Sequence, residues 1–168
     1  MKNIGRFWGL NKLLADEVVH FSLALLIGFI LAIRFSSPWL IFFSLLMGVF
    51  IDADHLVDYF YSFFKSDPKL IRKNWLNPIF HLKGFFTPHA YVIKNQKVIV
   101  PLHGWELIPL FWLLLSFWGK RLNIAGLEWT VLAYFVHLLW DQLACAGNWR
   151  SYFLIYRLVN RFSYEAYR

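Results

Sequence analysis

Three aspartates and a histidine fall within seven consecutive positions of FIDADHLVDYF, residues 50–60: Asp52, Asp54, His55 and Asp58. They stand at the end of the apolar run WLIFFSLLMGVFI. Charge at the edge of such a run is costly unless it is paired, hydrogen-bonded or neutralised by a cation. At ~100° per residue the four side chains occupy one arc of about 160°, with His55 near its middle. Neutral imidazole and carboxylate oxygen are ligands that zinc accepts, and a carboxylate-rich mixture also suits manganese or iron. Residues of the same two types recur elsewhere. His20 lies in VVHFSLALL, His103 and Glu106 stand three apart in PLHGWELIP, and His137 and Asp141 stand four apart in FVHLLWDQ. Spacings of three and four put side chains on one helical face. Each has a plainer reading when taken alone. Asp58 and Glu106 can reach lipid headgroups, His20 can bond a backbone carbonyl in a core, and His137 with Asp141 can be a structural pair. His81 and His89 have no partner pattern and read as loop residues that meet substrate, while Glu128 and Glu165 read as solvated.

These residues must be positioned by very apolar elements. The chain has 168 residues, enough for one domain, and is 59% hydrophobic, 21% aromatic and 16% charged. Soluble domains carry about a quarter charged residues, so the composition points to a membrane protein, with its aromatic excess at interfacial belts. Four apolar segments stand out: Val18 to Ile33, Ser36 to Ile51, Leu107 to Trp118 and Trp129 to Trp140. Their uncharged stretches fall short of the ~20 residues that a spanning helix needs, and reach that length only with their polar ends included. The expectation is an all-α membrane protein of one domain, residues 1–168, with four short transmembrane helices over about 18–35, 37–60, 103–119 and 126–146. GRFWGLNKLLADE and WRSYFLIYRLVNRFSYEAYR read as amphipathic helices lying on the membrane at the two ends. Between them a long loop runs from Ser62 to Val100, with AYVIKNQKVIV as a small hairpin. A soluble four-helix bundle fits the aromatic load less well. Asp16 and Glu17 precede the first segment and no A-x-A-like site follows it, which argues against a cleavable signal peptide. A net charge of +7 on so apolar a chain points to anionic lipid headgroups rather than nucleic acid. The single cysteine, Cys145, excludes an intrachain disulfide, and at eight residues beyond His137 it makes no Cys–His nucleophile pair.

With four spans, 14 of the 17 Lys and Arg residues fall on the two termini and the middle loop. The positive-inside rule then places those segments in the cytoplasm of a multi-pass membrane protein. On that topology His20, Asp52 to Asp58, His103 with Glu106, and His137 with Asp141 all reach the same cytoplasmic depth. Four helices delivering such ligands to one level is the pattern of a shared site. His20, Asp52, Asp54, His55, His103, His137 and Asp141 are therefore the candidate metal ligands. Asp58 and Glu106 are either ligands or groups that orient histidines, and with Asp54 they are the candidate catalytic carboxylates.

The order His … D-x-D-H … His … H-x-x-x-D on short membrane helices resembles the YdjM-like family of inner-membrane, metal-dependent hydrolases. That family is distantly similar to zinc-dependent phospholipase C and the S1/P1 nucleases, which are all-α and hold a cluster of zinc ions. The resemblance covers about His20 to Gly147, is carried by GVFIDADH and YFVHLLWDQLACAG, and departs at LHGWELIP, where the family shows a second histidine in an HRGxTHS-like run. Glu106 stands in for the missing ligand, or the cluster holds fewer metals. The resemblance implies the inner membrane as location, one to three divalent ions, zinc foremost with manganese and iron as alternatives, and hydrolysis of a phosphoester such as a lipid phosphate or phosphodiester. Two other readings stand beside it: a non-enzymatic membrane metal-binding or transport component, and a scaffold in which metal only ties helices together.

Overall fold

The computed structural model describes residues 10–66, 96–145 and 148–167. Among them the chain is helical, with no strand and one isolated antiparallel bridge, Lys97 to Ser163. The elements are α1 (Leu10–Phe35), α2 (Trp39–Gly48), a 3-10 turn (Phe50–Asp54), α3 (His55–Ser66), α4 (Leu107–Leu122), a 3-10 turn (Leu127–Thr130), α5 (Val131–Cys145), a 3-10 turn (Trp149–Tyr152), α6 (Leu154–Val159) and α7 (Tyr164–Tyr167). The all-α expectation holds for these residues. His81, His89 and most of the expected hairpin lie outside them.

Ser36 at φ 54° ends α1, and Pro38 caps the start of α2, so the chain reverses within three residues. The two helices form a hairpin whose contact line is built from small residues. A Cβ on Gly28 would stand 2.8 Å from the Ile41 Cα, and one on Gly48 would stand 2.6 Å from the Ala24 Cβ. His20, Ala24 and Leu31 face inward along α1, against α2 and α5, while Val18, Phe21, Leu26, Phe29, Ile30 and Ile33 are exposed. One core cluster joins Ile51, Val131, Tyr134, Leu138 and Tyr152; a second joins Leu31, Leu40 and Leu127 at the far end of the hairpin.

Among the described residues one helix is long and apolar enough to cross a membrane, Ala15–Phe35, with only 22% of its most apolar stretch buried. The pair Trp39–Gly48 and Phe50–Tyr61 passes the same test only if taken together, bent by 43°. Four spans are not supported, because α4 has 16 residues and α5 has 15. The physical reason is local: 3-10 turns at Phe50–Asp54 and Leu127–Thr130 take up residues that the apolar pattern assigned to single helices. The third helix begins at Leu107, so His103 and Glu106 precede it. At the N-terminus, the residues read as a separate surface helix are, from Leu10 on, continuous with α1. The C-terminal segment is a 3-10 turn and two short helices rather than one amphipathic helix on the membrane, and Arg157 within it is buried.

Candidate metal centre

Helix α2 stops at Gly48, and the Asp52 amide bonds back to the Val49 carbonyl at 3.3 Å, as a 3-10 turn requires. The Gly48 carbonyl is thereby released from the helical ladder and accepts from His137 Nδ1 at 2.9 Å. Small residues at Gly48, Ala24 and Ala133 bring α1, α2 and α5 together at this level. The turn aims Asp52 and Asp54 inward, α5 contributes His137 and Asp141 one helical turn apart, and the irregular chain before α4 contributes His103.

Four ligand atoms from three segments converge: Asp52 Oδ1, His103 Nε2, His137 Nε2 and Asp141 Oδ2. His103 Nε2 is 3.2 Å from Asp52 Oδ1 and 3.4 Å from Asp141 Oδ2. His137 Nε2 is 3.5 Å from Asp52 Oδ1 and 3.2 Å from Asp141 Oδ2. The two Nε2 atoms are 3.3 Å apart. Ligand bonds of 2.0–2.2 Å in a tetrahedron give ligand–ligand edges of about 3.3–3.6 Å, so these five separations are short enough for the four atoms to share one metal ion.

Hydrogen bonding on the far side of each ring explains why the cluster favours positive charge, as a proton or a cation. His137 Nδ1 faces a carbonyl, so it carries the proton and Nε2 turns a lone pair inward. His103 Nδ1 lies 3.0 Å from Asp54 Oδ2 and donates to it, leaving its Nε2 equally placed. Two lone pairs and two carboxylate oxygens then repel one another at short range unless positive charge sits among them. Burial by itself depresses the His103 imidazole, but the carboxylates of Asp54, Asp141 and Asp52 outweigh it and hold its pKa well above the usual range. A proton on His103 and a metal ion therefore answer the same electrostatic demand. The donor set fits zinc, and its two carboxylates also fit manganese or iron.

The remaining candidates surround this group. His20 is buried, stacks on His137 with ring centroids 3.9 Å apart, and reaches Asp141 Oδ1 with Nε2 at 3.0 Å. It holds the carboxylate oxygen that does not face the cluster. Asp54, His55 and His103 form a second close group. His55 also approaches the first group, with Nε2 3.7 Å from Asp52 Oδ1, and its side chain is 38% exposed. Asp58 is buried and accepts from the Ile99 amide through Oδ1. Asp52 Oδ2, Asp54 Oδ1, Asp58 Oδ2 and His20 Nδ1 are buried without a hydrogen-bond partner. Glu106 stands elsewhere: its carboxylate accepts from the Leu154 and Ile155 amides at 2.9 and 3.1 Å. Three contributors escape a reading of the sequence. The Gly48 carbonyl orients His137, the Tyr134 hydroxyl shares its one hydrogen between the Leu102 and Gly104 carbonyls, 2.7 Å from each, and Glu17 lies within electrostatic reach of Asp52 and Asp141. Only spacing could have flagged the two side chains, since Glu17 precedes His20, and Tyr134 precedes His137, by three residues.

No protein-family model matches the chain, and no curated protein or solved structure matches it either.

Proposed function

We propose that the protein is a membrane-embedded, divalent-metal-dependent hydrolase of the kind its motifs resemble, acting on a phosphoester such as a lipid phosphate or phosphodiester. The observation that carries the reading is the shell of four inward-facing donors, Asp52, His103, His137 and Asp141, with separations of 3.2–3.5 Å. An ion bound there supplies a Lewis acid for a phosphoryl oxygen and acidifies a water molecule. The chain's own residues do the positioning. The Gly48 carbonyl and Asp54 set the two imidazoles, and His20 sets Asp141. His55, on the more open edge, is placed to exchange a proton with solvent. The exposed apolar faces of α1 and α2 suit lipid contact, so substrate would reach the centre from the bilayer. In this reading all four apolar segments are embedded, α4 and α5 as short helices, and both termini face the cytoplasm.

Metal analysis of the purified protein, with turnover on a panel of lipid phosphates and phosphodiesters, is the direct test. Wild type should carry metal and hydrolyse one class; Asp52→Asn and His137→Ala should do neither while remaining folded and membrane-inserted. A metal-free wild type, or an Asp52→Asn variant with wild-type turnover on the correct substrate, sinks the proposal.

One observation favours a second reading, in which metal only ties the segments together. Four protein donors would already fill a four-coordinate shell, whereas catalytic zinc commonly keeps three and an open position. With Co2+ in place of zinc, added inorganic phosphate should change the visible absorption if a position opens, and leave it unchanged if the shell stays closed.

A further inference from the structure

His103 belongs to none of the helices. It sits in residues 96–106, which among the described residues form turns and irregular chain, yet its ring contacts Asp52, Asp54, His137 and Asp141. A ligand on unsupported chain would lose much of its affinity to conformational freedom, so the stretch must be held from outside. The C-terminal segment holds it. The Val98 amide donates to the Phe162 carbonyl, Trp105 to Tyr152 and Tyr164 to Gln96. At the centre stands Arg157. Its guanidinium donates through Nη1 to the Val100 carbonyl and through Nη2, at 2.5 Å, to the carbonyl of His103 itself. Those two carbonyls bracket a turn closed by the His103 amide on the Val100 carbonyl at 3.2 Å.

We propose that Arg157 is a positioning residue for the metal centre: its planar fork grips both ends of the 100–103 turn and so presents His103 Nε2 to the cluster. The C-terminal residues 149–164 thereby act as a strap on the ligand-bearing chain. Burying a guanidinium is costly, and a role in general packing would be filled more cheaply by an apolar side chain. A fork whose N–H groups diverge in a fixed plane can satisfy two separate carbonyls, which a lysine ammonium on a flexible stem cannot do in the same geometry. Nothing in this arrangement requires Arg157 to touch substrate.

The inference rests on the metal reading above, and its test separates the two. Co2+ affinity and the visible Co2+ absorption are measured for wild type, Arg157→Ala and Arg157→Lys in detergent, together with amide exchange over residues 98–104. Arg157→Ala should bind Co2+ about 10–100-fold more weakly, as loss of an outer orienting group does. It should also show an altered absorption and faster exchange confined to 98–104, with free guanidinium ion restoring affinity; Arg157→Lys should fall between. Wild-type affinity and absorption in Arg157→Ala overturn the proposal, and so does unchanged exchange. If Arg157→Ala does not fold, Arg157→Lys carries the test, and wild-type affinity in it overturns the role of the fork. If wild type itself binds no Co2+, the metal reading fails and the exchange comparison alone decides whether Arg157 holds the turn.

Discussion

A carboxylate oxygen and an imidazole nitrogen 3.2 Å apart share either a proton or a cation, and His103 has both choices. Its carboxylate neighbours raise its pKa, so in the metal-free protein its charged form stabilises the fold fully below the unfolded imidazole value of about 6.5. That contribution is lost as pH rises through the higher folded value. Chelated protein should thus lose thermal stability between neutral and alkaline pH, while zinc-loaded protein stays flatter and binds zinc more tightly as pH rises. A chelated protein whose melting temperature is level over that window would contradict the assignment. Removing His20 tests the orienting shell instead. His20→Ala leaves Asp141 Oδ1 without its 3.0 Å partner and should weaken zinc about 10–100-fold, measured by competition with a chelator. Glu106→Gln should leave zinc affinity near wild type, since Glu106 bonds the start of α6 rather than the cluster.

Among elements, the meeting of α1, α2 and α5 depends on the absence of side chains at their crossing. Gly48 sits where a methyl group would be 2.6 Å from the Ala24 Cβ and 3.3 Å from the Ala133 Cβ. Gly48→Ala should force the helices apart at a cost of about 1–3 kcal/mol. Because the Gly48 carbonyl orients His137, it should lower metal affinity as well. Thermal melts in detergent and zinc titration measure the two effects, and a variant with neither would show that the close approach is dispensable. The 3-10 turn after α2 matters for the same reason. A regular helix through residue 52 would return the Gly48 carbonyl to the Asp52 amide and leave His137 Nδ1 without an acceptor.

The whole molecule is tied at one level by the cluster, which links α1, the turn after α2, the chain before α4, and α5. Metal-free, the same place holds several carboxylates close together, so chelation should lower the melting temperature and zinc or manganese should restore it. An unchanged melting curve, with no metal by elemental analysis, would remove the centre altogether. Orientation is tested by cysteines placed at Lys73 and Lys120 in a Cys145-free background. An impermeant thiol reagent on intact cells should label position 120 and spare position 73; the reverse would put the centre on the outer face.

How much could be read from residues alone divides along a physical line. Composition and periodicity are properties of a chain segment, and they were sufficient for an all-helical protein with an apolar first helix. The i, i+4 pair His137 and Asp141 and the D-x-D-H run likewise announced ligand chemistry, because spacing within one segment determines which side chains share a face. That Asp52, His103, His137 and Asp141 meet was expected from a common depth on four spans, and the meeting is seen although four spans are not supported. Which of their atoms meet, and at what separation, was decided by the tertiary structure. So were the break of the second apolar run into α2, a turn and α3, the diversion of Glu106 to the α6 amides, and the burial of Arg157 against Val100 and His103. Each of these depends on where a backbone carbonyl or amide from a distant segment finds its partner, and a one-dimensional pattern of side chains does not encode those partners.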